Sequence, residues 1–277
     1  MEKIKEALAK AKLKNVAIKK ESKINSSQFE AAEKKSFSVE LDLEKIVYTH
    51  TSIIKLNSAH LEKNRIVSHL KNDANSAVFD SLRTQILQKM EESKWQTVAV
   101  VSATPESGKT VVSINLAISI AEQQQNTAIL VDFDLRRPKV SAYLGLHTEK
   151  SLNEYLLDKA ELKDVLINPG IQRLVVLPTA KAVTKSAETL SSKKVTTLIQ
   201  ELKARYQSRI VIFDSPPVLH TDDAIVLFKH VDCILLVVAD GMSTESEIEE
   251  TLYHIPKEKL LGVIINKADV EPKSYYY

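Results

Sequence analysis

Glycine is scarce in this sequence. It occurs five times in 277 residues, where about 7% is usual, so a loop with little glycine is unexceptional here. Cysteine is nearly absent. The one residue, Cys233, excludes an internal disulfide framework and suits a reducing compartment. It lies in an apolar run and reads as a small core residue. No apolar run approaches the ~18 residues that would span a membrane. The N-terminal MEKIKEALAK carries charge where a secretory signal needs an apolar core. Together these absences predict a cytoplasmic chain that meets a membrane only peripherally or through a partner. The seven histidines lack metal-ligand spacing, and there is no internal repeat. A formal charge of +2 gives no argument for nucleic acid. What is present, 44% apolar and 27% charged residues, is the composition of a globular protein.

The chain changes character along its length. In residues 1–70, Lys and Arg outnumber Asp and Glu fourteen to nine. MEKIKEALAKAKLK sets Ile4, Leu8 and Ala11 on one face, which predicts a short basic amphipathic helix. Polar, weakly patterned sequence follows, so 1–70 is expected to be a helix and linker with little further structure. From 71 to 269 the pattern is regular. Apolar runs at 97–103, 127–134, 173–179, 209–215, 233–240 and 261–269 alternate with helical patterns such as GKTVVSINLAISIAEQQQ and AETLSSKKVTTLIQELKARY. Continuous apolar strands separated by helices predict an α/β fold: a mostly parallel sheet with helices on both faces, of the phosphate-loop NTPase type. Residues 270–277 form a tyrosine-rich tail.

In such sheets ligands bind at the carboxyl ends of the strands. The first predicted strand runs into SATPESGKT, residues 102–110. A strand, a loop ending Gly-Lys-Thr and then a helix is the context of a phosphate cradle. Backbone N–H groups of Thr104, Pro105's neighbours, Glu106, Ser107, Gly108 and Val111 can converge on phosphate at the positive end of a helix. Lys109 can reach the terminal phosphates, and the Thr110 hydroxyl can ligate Mg²⁺. Ala103 and Glu106 stand where glycine is usual. A non-glycine residue held at positive φ costs roughly 1–2 kcal/mol. That cost vanishes if Glu106 keeps a negative φ.

The next strand ends in Asp132 and Asp134. Two residues apart on an extended chain, they are expected to point the same way and to share one Mg²⁺–phosphate environment. VIFDSPPV places Asp214 at a third strand end, suited to hold Mg²⁺ through water. Strand-end aspartates also cap helices; here three lie beside a phosphate loop. Arg136 and Arg137 either neutralise phosphate, pair across a subunit interface, or form a solvated turn. Asn266 opens Asn-Lys-Ala-Asp at the end of the last strand, a nucleotide-side position and also a guanine-reading pattern. The strand-end Asp-x-x-Gly of a GTPase switch is Asp214-Ser-Pro-Pro217 instead.

These residues resemble a family. Residues 64–277 are similar to the bacterial tyrosine kinases of capsule and exopolysaccharide export, in SATPESGKT, ILVDFDLRRP, IVIFDSPPVLHTDDA, VDCILLVVADGMSTESEIE, LLGVIINKAD and the terminal SYYY. The resemblance implies an ATP- and Mg²⁺-dependent autokinase with Tyr275, Tyr276 and Tyr277 as acceptors. It implies that Lys109 and Thr110 bind phosphate and Mg²⁺, that Asp132 is metal ligand or base supported by Asp134, and that Asp214 completes the metal site. It also implies a homo-oligomer, an activating membrane-bound polysaccharide chain-length regulator (a co-polymerase), an opposing tyrosine phosphatase, and a place at the inner face of the cell membrane.

The sequence departs from that family in its loop, usually Pro-Gly-Glu-Gly-Lys and here Pro105-Glu106-Ser107-Gly108-Lys109. It departs again in the preceding helix, where Glu, Arg and Arg at three-residue spacing are replaced by Ala77, Asp80 and Arg83. Two other readings stay open: a nucleotide-binding scaffold of weak activity, and a partition or positioning ATPase. The latter commonly has a second lysine near the start of the loop, which Ser102-Ala103-Thr104 lacks. From Asn266 an extended tail reaches at most ~35–40 Å, enough for a neighbouring subunit's site.

Overall fold

A computed structural model describes residues 52–70, 73–204 and 208–269. The described residues belong to one compact unit, Val47–Tyr277. The expected N-terminal amphipathic helix, the linker after it and the tyrosine tail lie outside the described residues.

The chain enters through β1 (Ser52–Ile53), α1 (Ser58–Lys63) and α2 (Ala74–Glu92), and then forms β2 (Thr97–Ser102). Asp73 caps α2 by accepting from the Asn75 and Ser76 N–H groups. After the phosphate loop come α3 (Lys109–Glu122), β3 (Thr127–Asp132), α4 (Val140–Leu144), α5 (Leu152–Leu156), α6 (Leu162–Val165), β4 (Ile167–Asn168) and β5 (Leu174–Leu177). The remainder is α7 (Ser186–Leu190), α8 (Lys193–Ala204), β6 (Arg209–Asp214), α9 (Asp223–Phe228), β7 (Cys233–Ala239), α10 (Glu245–His254) and β8 (Leu260–Asn266).

The eight strands form one sheet in the order β1-β4-β5-β3-β6-β2-β7-β8. The six from β5 to β8 are mutually parallel, as the apolar runs predict. Only β4 meets its neighbour β5 antiparallel, and β1 pairs parallel with β4. These two-residue strands carry no periodic pattern, which is why sequence reading misses them. The central strands β2, β3, β6 and β7 are buried at every residue. Both pleat faces are therefore covered, since successive side chains point to opposite sides. One face, including Val98, Val100, Leu130, Ile212 and Cys233, joins Ile86 and Met90 of α2 and most of α3 in a single apolar cluster. Burial pushes the Cys233 thiol far above its ordinary range, in keeping with its reading as a core residue.

α3 is apolar nearly all round because it is covered nearly all round: Thr110 and every residue from Val112 to Ala121 are buried. α2 lies over it. The Arg83 guanidinium donates to Asp80 (2.8 Å) and to the Ser119 carbonyl and hydroxyl of α3 (3.1 Å each), and the Ser119 hydroxyl donates to Asp80 at 2.7 Å. Asp80 and Arg83 are thus engaged within their own subunit. The pattern read as one helix from Ala187 to Tyr206 is broken. α7 ends at Leu190, and the Ser192 hydroxyl accepts from the Val195 N–H at 3.3 Å to start α8.

Residues 52–70, grouped with the N-terminal segment on composition, pack on the sheet-bearing unit. Leu61 and Ile66 are buried in its core. Asn115 of α3 holds the stretch after α1. Its side-chain oxygen accepts from the Val67 and Ser68 N–H groups (2.8 and 2.9 Å), and its amide donates to the Arg65 carbonyl at 3.0 Å.

Candidate active site

The site lies at the carboxyl edge of β2, β3, β6 and β8, in a cleft of about 620 Å³. Each strand delivers one element of it. The loop after β2 reaches Gly108, which caps α3 in the left-handed region at φ 88°. A Cβ there would also lie 2.1 Å from the Asn266 amide nitrogen. Only glycine fits both constraints. Asn266, at the end of β8, donates to the Ser107 carbonyl at 2.9 Å. The Thr104 carbonyl accepts from the Ser102 and Ser107 hydroxyls at 2.8 and 3.0 Å, which closes the loop on itself. Pro105, Glu106 and Val111 line the cleft beside Lys109 and Thr110.

Glu106 has φ 65°, so the negative-φ alternative is not the one adopted, and the conformational cost of roughly 1–2 kcal/mol is present. Its side chain is exposed. Two other charged residues on the cleft, Arg65 and Lys267, also stand at positive φ (60° and 59°). In a chain with five glycines, charged side chains occupy backbone positions where glycine would be easier.

Lys109 donates to Asp134 at 3.0 Å. Thr110 donates to Asp214 at 2.7 Å, and Ser113, one turn further along α3, donates to the other oxygen of Asp214 at 3.2 Å. Ser113 escapes a motif reading. Its signal is the three-residue spacing from Thr110, which puts both hydroxyls on one helix face. Asp132 and Asp214 are register partners across β3 and β6. Phe133 and Phe213, their chain neighbours, stack with ring centroids 4.9 Å apart and anchor this edge from within the core. One oxygen of Asp132 accepts the Lys139 and Val140 N–H groups (3.1 and 3.0 Å) at the start of α4. The other, buried, has no partner among the described residues. Asp134 lies beyond the strand. Its direction is set by Lys109 and by the Arg137 N–H (3.0 Å) rather than by the strand's pleat, but it joins the cluster as expected.

Three carboxylates thus surround one ammonium. Burial, reinforced by the charge of Asp214, pushes Asp132 well above the usual carboxylate range. Burial also raises Asp214, although Lys109 and Thr110 oppose it. Burial works against the charge of Lys109, yet Asp214, Asp134 and Asp132 outweigh it and raise its pKa. Among the described residues no group of three or more His, Cys, Asp or Glu side chains is arranged to hold a metal by itself. The donor set, a threonine hydroxyl, strand-end carboxylates and an unpartnered buried carboxylate oxygen, fits a hard cation. Such a cation would complete its shell with nucleotide phosphates and water, which is the habit of Mg²⁺.

Arg136 donates to Ser186 (2.8 Å) and to the fully buried Asp223 (3.2 Å), an intramolecular pairing that was not among its expected roles. Arg137 is exposed on the cleft. The wall built by Lys63, Asn64, Arg65, Lys139 and Tyr143 is the part that sequence reading missed. Arg65 ends α1 in a Schellman arrangement, in which its N–H bonds the Glu62 carbonyl and the Ile66 N–H bonds the Leu61 carbonyl, both at 2.9 Å. Glycine is usual at that position.

A phosphate loop opening a buried helix, with acidic strand ends facing it across a parallel sheet, defines a nucleotide-binding protein of the phosphate-loop α/β class. The AAA domain family matches residues 95–267. Tyrosine-protein kinase YwqD of Bacillus subtilis (strain 168) is 30% identical over 80% of this chain and 93% of its own length. Among solved structures, the kinase domain of Escherichia coli tyrosine kinase ETK superposes with a TM-score of 0.67 at 26% identity, covering 83% of this chain and 94% of that one. The chimerical protein CapA2B2 does so at 0.69 and 26%, covering 78% and 93%. The chain belongs to the bacterial tyrosine-protein kinases, within the AAA domain family.

Proposed function

We propose that the protein transfers the γ-phosphoryl group of ATP to tyrosine and that its acceptors include its own Tyr275, Tyr276 and Tyr277. The observation that carries this reading is the convergence of Lys109, Thr110, Asp132, Asp134 and Asp214 on one cleft, with one buried oxygen of Asp132 unpartnered. Mg²⁺, bound with the nucleotide, would be held by Thr110, Asp132 and Asp214 and would supply charge neutralisation to the phosphates. Lys109 exchanges Asp134 for the terminal phosphates. Asp132, with its pKa raised toward the working pH, takes the phenolic proton as general base. Asp134 orients Lys109, and Asn266 braces the loop on the nucleotide side. Residues 71–269 act as the kinase domain and 270–277 as its substrate tail.

Membership of this family supports a role in exopolysaccharide or capsule export. It supports a homo-oligomer activated by a membrane-bound co-polymerase, reversed by a tyrosine phosphatase and held at the inner membrane face through that partner. No helix among the described residues is long and apolar enough to cross a membrane.

The test is incubation of the full chain with ATP and Mg²⁺, read by intact mass, beside Lys109→Ala and a chain ending at Ser274. Phosphate that requires both Lys109 and the tail is the expected result. Phosphate that survives loss of the tail overturns the assignment of acceptors. ATP binding without transfer, even with the cytoplasmic segment of an activator present, supports the second reading: a nucleotide-binding scaffold. The observation in favour of that reading is the strained Glu106 at φ 65°.

A further inference from the structure

The cleft has two ends. Asn266 and Lys267 follow β8, whereas Asp134, Arg137 and Lys139 follow β3, and the sheet places these strands on opposite sides of β2. Lys109 turns toward the β3 side, where it meets Asp134. That side is therefore the end of the terminal phosphate, and the acceptor approaches there. Lys139 and Arg137 come from the loop after β3, and Lys63 and Arg65 from the stretch that Asn115 ties to α3. All four are exposed. None of the four side chains takes part in an ion pair among the described residues, in contrast to Lys109 and Arg136 on the same cleft. The acidic side chains that line the cleft are Glu106 and Asp134, and Asp134 is paired.

We propose that this end of the cleft is a cationic vestibule that selects tyrosines flanked by negative charge, and that its occupant is the C-terminal tail of a second copy already carrying a phosphotyrosine. The proposal rests on the kinase reading above and adds the class of substrate. Phosphate binding by the loop at Gly108–Thr110 does not call for Lys63 and Arg65, which a separate element presents. Arg65 is held there in a left-handed conformation that favours glycine, a conformational cost that a solvated surface arginine would not require.

The tail fits. VEPKSYYY carries one glutamate, one lysine and, at Tyr277, the last carboxylate of the sequence. Each phosphorylation adds about −1.5 to −2 of charge. Each turnover forms the bond from the phenolic oxygen to the γ-phosphorus and breaks the γ-phosphorus bond to the leaving ADP oxygen. The phenolic proton passes to Asp132 and then to water. The product is thereby more attracted to the vestibule than the substrate was. A phosphotyrosine held by Arg65, Lys63 or Lys139 leaves the adjacent tyrosine about 3.3–3.6 Å along the chain, next to the site. The three tyrosines are then modified in succession without release.

The experiment compares fluorescein-labelled EPKSYYY with the same peptide phosphorylated at its first tyrosine. Both are titrated by anisotropy against the full chain loaded with ADP and Mg²⁺. The phosphorylated peptide is expected to bind about tenfold more tightly at low salt, and the preference should collapse in 0.5 M salt. It should also be lost in Lys63→Ala/Arg65→Ala/Lys139→Ala. Lys139→Ala alone, at an exposed residue, should reduce it and keeps the test readable should the triple variant lose its fold. Equal affinities, or a preference that survives these substitutions, overturn the vestibule. A phosphotyrosine preference in a chain that transfers no phosphate overturns the autokinase reading and leaves the vestibule standing.

Discussion

Asp132→Asn should stabilise the nucleotide-free protein while removing its activity. Asp132 is fully buried, and one of its oxygens has no partner. The charges of Asp214 and Asp134 both act against its ionised form. A buried acceptor left unpaired costs about 1–3 kcal/mol, and more when charged. Asparagine keeps an oxygen for the Lys139 and Val140 N–H groups and puts a donor among the remaining carboxylates. The expected gain is about 2 kcal/mol. At about 2–4 °C per kcal/mol for a domain of this size, the melting temperature in EDTA should rise by about 4–8 °C. Loss of the base should lower phosphotransfer by about 10²–10⁴-fold. The pH dependence has a definite sign. Because the folded pKa of Asp132 is raised, its favourable contribution is complete below the unfolded value and is lost as pH rises through the folded one. The stability gap between Asp132→Asn and wild type should therefore widen from pH 5 to pH 8. Calorimetry across that range, paired with a phosphotyrosine assay, checks both halves. A melting temperature below wild type in EDTA, or near-normal transfer, would refute the reasoning.

Other consequences can be measured separately. Glu106→Gly relieves roughly 1–2 kcal/mol of backbone strain against about 0.5–1 kcal/mol of added chain entropy. Stability should thus change by less than about 1.5 kcal/mol while turnover rises, and a fall in turnover would show that the carboxylate itself is used. Gly108→Ala meets both a left-handed φ and the Asn266 amide, so nucleotide affinity should fall at least tenfold by calorimetric titration. Adding Asn266→Ala should restore only the part due to the clash. Burial pushes Asp232 up, but the Gln96 N–H, Lys203 and Thr97 outweigh it and hold it below the usual range. Its stabilisation is therefore complete above the unfolded pKa and is lost as pH falls through the folded one. Asp232→Ala should cost about 2–3 kcal/mol near neutrality and flatten the acid limb of the stability profile. Arg83→Ala should loosen α2 from α3 and cost about 2–3 kcal/mol in urea, because Asp80 and Ser119 both lose their shared donor.

The six parallel strands were legible because each is a continuous apolar run, and a run buried on both faces has no polar side to obscure it. Their ends were placed one to three residues too far, as at Phe133 and Asp134, because the chain leaves the sheet where its polar residues begin. Lys109, Thr110, Asp132 and Asp214 could be named from spacing alone, since chemistry at a sheet edge concentrates in a few residue types. Ser113 and Asn115 could not. On α3 they look like polar interruptions of an apolar helix, and their meaning comes from partners 101 and 50 residues away. Residues 52–70 were hidden for a related reason. Their core contribution is Leu61 and Ile66, too few apolar residues to stand out from a polar, basic surrounding.

The tie made by Asn115 has a bearing on where this protein can be cut. One side chain bonds three backbone groups of the stretch 65–68, and it stands a turn and a half from the lysine that meets phosphate. A fragment begun at residue 71, where the composition changes, would keep every sequence motif. It would also leave that asparagine buried without its partners, uncover Ile86 and Met90, and open one side of the cleft. The smallest autonomous piece of this molecule is therefore larger than the piece its motifs mark out.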